Sequence, residues 1–196
     1  MENRLTTKEL FETLNQWSRF IKKKVHLIAC GGTAMTLLKI KASTKDVDFM
    51  IPNIAEHAYI KRILNDLSYK PARGIGLKRD NELYVFDLFC GNKIHTTELL
   101  KSPLEKENHI FIKNIGNIYL GALNYYDLIV SKIMRAAQVD FDDCELLYKV
   151  KKDEIDINVL RDRYRETCSY DVSEHRIKGY IDSFIARVNE VDENGK

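Results

Sequence analysis

The sequence of 196 residues has few cysteines and no long apolar run, and both absences exclude classes of protein. Its four cysteines show neither C-x-x-C nor another zinc-like spacing, and their apolar or helical settings predict buried, reduced thiols. No apolar run approaches the ~20 residues that a membrane-spanning helix needs. Residues 1–12 are polar and charged, so we expect no signal peptide and predict a cytoplasmic protein without membrane contacts.

The chain also lacks a strong charge of either sign. Its 31 basic and 29 acidic side chains leave a net charge of +2, which does not by itself indicate nucleic-acid binding. No Walker motif, Ser-His-Asp pattern, internal repeat or low-complexity segment is present. A hydrophobic content of 44% is typical of a globular protein, and the length suits one domain or a compact core with a helical appendage.

The most informative stretch is residues 25–51, VHLIACGGTAMTLLKIKASTKDVDFMI. Val25–Cys30 is an apolar run of strand length. Gly31-Gly32 permits a sharp turn and a close approach of the backbone to a ligand. We expect Thr33 to cap a helix that begins near Ala34, because a hydroxyl there can accept from free backbone N–H groups. The start of that helix would face an anion.

Three aspartates follow on predicted strands. Asp46 and Asp48 are two residues apart, so a strand would direct both side chains to one face, where they repel unless a cation lies between them. Asp87 lies within Leu83–Phe89, a nearly apolar run that predicts a central buried strand. A buried carboxylate needs a partner: a metal, a lysine or several donors. Glu82 is the fallback for Asp87, at the start of that strand and expected to be exposed.

Helix and hairpin signals occupy the rest of the chain. Thr6 and Glu9 form a capping-box pattern, and residues 110–120 predict a hairpin at the edge of a sheet. Asp140–Asp143 is expected to cap a following helix. The predicted helices are Thr7–Ile21, one that opens at Pro52-Asn53, one that opens at Asn124, Phe141–Val150, Asp156–Thr167 and Ser173–Val188.

The pair Gly32-Thr33 followed by Asp46-x-Asp48 resembles the signature of the polymerase-β-like nucleotidyltransferases. The form GGTA is most similar to nucleotidyltransferases of bacterial abortive-infection and type IV toxin–antitoxin systems. This resemblance implies an α+β protein with the minimal nucleotidyltransferase fold, in which helices flank a mixed, twisted sheet, and with a C-terminal helical cap. We therefore predict a core over residues 1–122 and a helical subdomain over residues 123–196 that packs on it.

The resemblance also implies roles for particular residues. Asp46, Asp48 and Asp87 would bind two Mg²⁺ ions. Lys132 lies within the apolar stripe of its predicted helix, where an ammonium must reach solvent or meet an anion; in the family, a helix lysine contacts nucleotide phosphates. Asp143 matches an aspartate that follows this helix, or is an ordinary dipole complement. The predicted ligands of the nucleotide are Gly31, Gly32, Thr33, Lys132, Arg135 and Asp143.

The predicted function is Mg²⁺-dependent transfer of a nucleoside monophosphate from a nucleoside triphosphate to an acceptor. The family implies RNA, tRNA or a protein as the acceptor, and an antitoxin as a further partner. A small-molecule acceptor and a catalytically inactive binding module are the alternatives. Two basic segments bear on RNA: Lys70–Arg79 is a mobile hairpin near the site or a surface turn, and Lys22–Lys24 is a solvated connector or a nucleic-acid contact.

Overall fold

The computed structural model describes residues 4–80 and 82–194, which form two compact units. The first unit comprises the described residues of Met1–Lys93 together with Lys101–Leu123. The second comprises Ile94–Leu100 and the described residues of Asn124–Lys196. Within the described ranges, none of the helices has both the length and the apolar character needed to cross a bilayer.

A seven-stranded mixed sheet organises the first unit, in which β1 and β3 form a small two-stranded sheet. A second two-stranded sheet pairs β8 with β9, whose residues from Ile94 onward belong to the second unit. In the large sheet the strand order is β10-β11-β2-β4-β7-β6-β5. The strands are β1 (Leu5–Thr6), β2 (Val25–Ala29), β3 (Ser43–Thr44), β4 (Val47–Ile51), β5 (Tyr69–Pro71), β6 (Gly76–Arg79), β7 (Phe86–Cys90), β8 (Lys93–Ile94), β9 (Thr97–Glu98), β10 (His109–Ile115) and β11 (Ile118–Leu123).

The strand β4 lies at the centre of the sheet, and all five of its residues are buried. It pairs antiparallel with β2 and parallel with β7. A strand that is covered on both faces reads as a continuous apolar run, and Val47–Ile51 has one polar residue, Asp48. That aspartate is therefore placed in the interior of the sheet by its neighbours rather than by its own chemistry.

Three helices belong to the first unit: α1 (Thr7–Ser18), α2 (Gly31–Leu37) and α3 (Ile54–Asp66). The capping box predicted at the start of α1 is present, because Thr6 accepts from the backbone of Glu9 and Glu9 accepts from that of Thr6. Trp17 of α1 packs on Phe86 with ring centroids 4.9 Å apart, and its indole N–H donates to the hydroxyl of Tyr69. These aromatic contacts fix α1 on β5 and β7.

The second unit is mainly helical. Its helices are α4 (Tyr125–Arg135), α5 (Gln138–Lys151), α6 (Ile157–Ser169), α7 (Glu174–Ile177) and α8 (Tyr180–Asn194), with a 3₁₀ turn at Lys152–Glu154. Its core includes Leu128 and Ile133 of α4 and Phe184 of α8, all fully buried. The carboxylate of Asp127 accepts two hydrogen bonds from Arg163, at 2.7 and 2.6 Å, and thereby joins α4 to α6.

The structure confirms the mixed sheet flanked by helices and the helical C-terminal part, and it places the predicted β10–β11 hairpin at one edge of the sheet. Several details differ. The strand β7 begins at Phe86, so Leu83 is exposed rather than buried. The helix predicted over Ser173–Val188 is interrupted around Gly179. Cys90 is exposed, whereas the other three cysteines are buried as expected.

Candidate active site

Two of the predicted carboxylates lie side by side on neighbouring strands. Asp48 of β4 and Asp87 of β7 are direct partners in the register of this parallel pair. Side chains of partnered residues on adjacent strands point to the same face of a sheet. Asp48 is buried and Asp87 is half-buried. The sheet therefore brings together two aspartates that are 39 positions apart in the sequence, from 48 to 87.

The third carboxylate, Asp46, lies one residue before β4 and is exposed. Its negative charge acts on Asp87. Burial raises the pKa of the Asp87 carboxyl, the charge of Asp46 raises that pKa further, and the nearby Arg73 opposes both effects. The three aspartates therefore contribute to one region of negative potential, although only two of them lie on strands.

The backbone of two glycines lies close to the carboxylates of Asp48 and Asp87. A methyl group on Gly31 would lie 2.7 Å from Oδ2 of Asp48, and one on Gly76 would lie 2.8 Å from Oδ1 of Asp87. Gly31 also has a φ of +54°, in the left-handed region that favours glycine. A side chain at position 31 would crowd Asp48, and one at position 76 would crowd both Val85 and Asp87, so both glycines leave room for the carboxylates.

Thr33 has a different task from the one predicted. The helix α2 begins at Gly31, and its N-cap is Cys30 without a side-chain cap, so the prediction that Thr33 caps this helix is wrong. Its buried hydroxyl instead donates to the carbonyl of Asp46 at 3.2 Å and accepts from the backbone N–H of Asp48 at 2.9 Å. Thr33 therefore holds the aspartate-bearing backbone in place. A phosphate contact of Gly31, Gly32 or Thr33 stays a prediction.

The carboxylates suit magnesium in chemistry, since this ion prefers hard oxygen ligands. Within residues 4–80 and 82–194, no group of three or more His, Cys, Asp or Glu side chains is arranged to hold a metal ion alone. Magnesium commonly binds through one or two carboxylates together with substrate phosphates and water, rather than in a cage built by the protein. Asp48 and Asp87, with Asp46 beside them, suit magnesium binding by carboxylates together with phosphates and water. The binding of two Mg²⁺ ions stays a prediction.

Lys132 belongs to a buried ion network in the second unit. Its ammonium is 4% exposed and donates to Asp143 at 2.7 Å and to Asp140 at 3.4 Å. Arg135 donates to the same Asp140 through Nε at 2.8 Å and through a terminal nitrogen at 2.5 Å. Of the two outcomes expected for this lysine, the structure shows that it meets an anion. The anion is supplied by the chain itself.

This network changes what is expected of Asp140. Burial favours a raised pKa for the Asp140 carboxyl, but the hydrogen bonds and positive charge of Arg135, together with Lys132, outweigh it and lower the pKa. The prediction that Asp140–Asp143 caps a helix beginning at Phe141 is wrong, because α5 begins at Gln138 with Ala137 as its N-cap. Contacts of Lys132, Arg135 and Asp143 with nucleotide phosphates stay predictions.

Of the two alternatives for the basic segment Lys70–Arg79, the structure shows a β-hairpin, formed by β5 and β6, and β6 pairs with β7 so that Gly76 is opposite Asp87. Part of its charge is already neutralised. Lys70 pairs with Asp80 at 2.9 Å, and Arg79 pairs with Glu82 at 2.7 Å. Glu82, which also accepts from a tyrosine hydroxyl, is therefore not a substitute for Asp87.

The sequence did not predict the roles of four residues, Thr44, Arg73, Gly76 and Asp140. Thr44 donates to the carbonyl of Asp46 at 3.0 Å, and the positive charge of Arg73 lowers the pKa of Asp87. Gly76 lies close to Asp87, and Asp140 accepts from the cations of the second unit. A glycine within a strand often marks a close approach of backbone or ligand, so Gly76 carried a usable signal. The contacts of Thr44 and Asp140 span only two and eight residues, to Asp46 and Lys132, but they depend on how the chain turns there. That of Arg73 depends on the turn between β5 and β6.

A comparison with protein families agrees with the residue motif. A family model described as "Nucleotidyltransferase of unknown function (DUF6036)" matches residues 6–192. Among solved structures, the chain is similar to a crystal structure of a proposed nucleotidyltransferase from Thermotoga maritima, with 14% identity and a TM-score of 0.42 over 84% of this chain and 98% of that one. No curated protein matches the sequence. Since the family model spans nearly the whole sequence, the chain belongs to this family of nucleotidyltransferases, whose function is not known.

Proposed function

We propose that the chain is a Mg²⁺-dependent enzyme that transfers a nucleoside monophosphate from a nucleoside triphosphate to a hydroxyl acceptor. The observation that carries this proposal is the register of Asp48 with Asp87 over the glycine backbone at Gly31 and Gly76. Two carboxylates on rigid, neighbouring strands supply preorganised negative charge, and Asp46 adds to it. Such a site favours divalent cations and the phosphates that accompany them.

The residues of the chain have separable tasks in this proposal. Asp48 and Asp87 would hold magnesium, which supplies charge neutralisation on the phosphates and a lower pKa for the attacking hydroxyl. Asp87 would also accept the proton of the nucleophile. The backbone of Gly31 borders Asp48, and Gly31 and Gly32 would lie against the phosphates. Thr33 positions the aspartates by holding their backbone.

The acceptor proposed from the family resemblance is an RNA, such as tRNA, or a protein, in the setting of a toxin–antitoxin or phage-defence system. An antitoxin partner is part of the same proposal. A small-molecule acceptor is the alternative within enzymes.

The test is label transfer from each of four α-labelled nucleoside triphosphates, with Mg²⁺ and total cellular RNA. Asp48→Asn and Asp87→Asn are compared with Asp80→Asn, which changes an exposed carboxylate that pairs with Lys70. Removing a group that stabilises transition-state charge costs on the order of 100-fold or more in rate. We therefore expect label from the wild type and Asp80→Asn, and at least a ~100-fold fall (about 2.7 kcal/mol) in the other two.

Stability separates this proposal from a structural role for Asp87. If the carboxylate serves a ligand, Asp87→Asn should leave the free energy of unfolding equal or higher, because it removes repulsion from Asp46. A large loss of stability with unchanged nucleotide binding would contradict the proposal. So would the absence of both label transfer and Mg²⁺-dependent nucleotide binding, and the inactive binding module would then replace the enzyme.

A further inference from the structure

A second charged feature of the first unit is a cavity of about 470 Å³, lined in part by Lys23, Lys24, Asn53, Glu56, Tyr59 and Arg62. We call it the basic pocket. Its three cations come from two segments, the connector before β2 and the helix α3. The cavity therefore draws on positions that the sequence presents only as a run of lysines and a separate helix.

The basic pocket lies at the opposite end of the sheet from the carboxylates. Because β2 and β4 are antiparallel, Lys24, just before β2, is near the end of β4, whereas Cys30, just after β2, bonds the backbone of Asp48. Asn53 follows β4 and lines the pocket. The five residues from Asp48 to Asn53 span ~16 Å at ~3.3 Å per residue. The pocket and Asp48 therefore lie at separate places along the sheet.

Tyr59 holds the cations of the basic pocket in place. Its ring centroid lies 6.0 Å from Nζ of Lys23 and 5.6 Å from the guanidinium carbon of Arg62. Its hydroxyl accepts from the backbone N–H of Lys22 at 2.8 Å and so ties the lysine run to α3. Lys24 lies 5.5 Å from the ring of Tyr119. Contacts of this kind are individually worth about 0.5–1 kcal/mol at exposed sites, and here they order the lysine connector.

The lining of the basic pocket carries a net positive charge, from three cations and one carboxylate. That carboxylate, Glu56, is engaged by His26, which donates its backbone N–H at 2.7 Å and has Nδ1 at 3.0 Å. In the described ranges of the chain, no carboxylate forms an ion pair with Lys23, Lys24 or Arg62. Two basic residues of the β5–β6 hairpin, by contrast, are paired. An excess of positive charge of this kind favours an anion among the three cations.

We propose that the basic pocket binds the phosphodiester backbone of RNA and thereby docks the acceptor of the transfer reaction. The identification of RNA as the acceptor rests on the proposed function, whereas the binding itself does not. Lysine and arginine contacts to phosphates supply most of the sequence-independent affinity for nucleic acid. A concave site suits a strand that enters it better than a flat bilayer surface. An RNA held here can extend along the sheet toward Asp48.

The test measures the fluorescence anisotropy of a labelled single-stranded oligoadenylate RNA with the full-length protein. The variant Lys23→Ala/Lys24→Ala/Arg62→Ala removes the three cations of the basic pocket. Its matched control, Lys8→Ala/Lys101→Ala/Lys106→Ala, removes the same charge from exposed lysines elsewhere. We expect at least ~10-fold weaker binding for the pocket variant alone, and a slope of log K against log salt that is smaller by about 2, at ~0.7 per lost contact.

Three results would overturn the inference: no RNA binding by the wild type, equal losses in both triple variants, or a preference for vesicles of phosphatidylcholine and phosphatidylserine over RNA. The substituted side chains are exposed, so both variants should fold, and thermal unfolding verifies this. Arg62→Gln alone is a milder variant with an expected slope change of ~0.7. Asp48→Asn should abolish transfer and keep RNA binding, so failure of the proposed function and failure of the basic pocket give different results.

Discussion

The protein contains two clusters of aspartates that differ in how their charge is balanced. In the first unit, the negative charges of Asp46 and Asp87 repel each other. Burial and this repulsion raise the pKa of Asp87. In the second unit, Asp140 is more deeply buried, yet its pKa is lowered because Arg135 and Lys132 donate to it. Burial alone therefore does not decide the protonation of a carboxylate here. The sign of the neighbouring charges decides it.

The difference indicates which cluster serves a ligand. A network whose charges are paired internally holds helices together and leaves little for a ligand to gain. A concentration of like charge raises the free energy of the folded state until a cation binds, and perturbed pKa values at such places mark candidate functional sites. This reasoning assigns chemistry to the aspartates of β4 and β7 and assigns α4–α5 cohesion to the network of Lys132.

The largest expected effect tests whether the Lys132 network serves stability. Lys132→Ala leaves two carboxylates, Asp140 and Asp143, buried with less positive charge, so the free energy of unfolding should fall by about 3–5 kcal/mol in urea denaturation. Lys149→Ala, on the exposed face of the same α5 helix as Asp143, is the control and should change it by less than ~0.5 kcal/mol. If both variants were equally stable and only Lys132→Ala lost nucleotide binding, the lysine would be a phosphate ligand instead.

Gly31→Ala tests the close approach of the Gly31 backbone to the carboxylate of Asp48. The substitution forces alanine into a left-handed conformation, which costs about 1–2 kcal/mol, and its methyl group meets Asp48, which adds about 1–3 kcal/mol. Gly91→Ala is the matched control, because Gly91 also has a positive φ but nothing lies within 4 Å of the added methyl group. Thermal or chemical denaturation compares them. If the free energy of unfolding fell equally in the two variants, the side chain of Asp48 would move away from the added methyl group without a loss of stability.

Thr33→Val should have a somewhat smaller effect. It leaves the buried N–H of Asp48 without its partner and removes a donor to the carbonyl of Asp46, so we expect a loss of about 1–3 kcal/mol in the free energy of unfolding. Thr33→Ser retains the hydroxyl and is the control. Should the valine variant be as stable as the serine variant while nucleotide affinity falls, the hydroxyl would serve the phosphates as first predicted.

The smallest expected effect is a contrast in pH dependence. The folded pKa of Asp140 lies below its ordinary value of 3.8, so its stabilisation is present above pH 3.8 and is lost as the pH falls through the folded value. The folded pKa of Asp87 lies above 3.8, so its contribution is present below pH 3.8 and is lost as the pH rises through the raised value.

Denaturation across the acid range therefore separates the two aspartates. Asp87→Asn should be more stable than the wild type above the raised pKa and converge with it in acid. Asp140→Asn should be less stable at neutral pH and converge with the wild type in acid. Asp80→Asn, at an exposed position, is the reference. If the stability of Asp87→Asn and that of Asp140→Asn changed with pH in the same way, the proposed difference between the two aspartate clusters would be contradicted.

Local chemistry in the sequence predicted much of the fold. The capping box at Thr6 was predicted from the sequence and is present. Helix starts were predicted at Asn53, Asn124 and Asp156, and in the structure each of these side chains accepts from backbone N–H groups. The resemblance carried by Gly32-Thr33 and Asp46-x-Asp48 implied a mixed sheet flanked by helices, which the structure confirms. It also indicated a nucleotidyltransferase, in agreement with the family model, whereas the closer likeness to toxin–antitoxin enzymes stays a prediction.

The sequence by itself thus determined the elements, their order and the residue types of the site, since these follow from interactions between near neighbours. Only the tertiary structure decided which distant groups meet. The register of β4 and β7 places Asp87 beside Asp48, the turn before α5 gives Lys132 its carboxylates, and the burial of Thr33 commits its hydroxyl to β4. Such pairings depend on strand register and packing across long separations, and no local pattern encodes them.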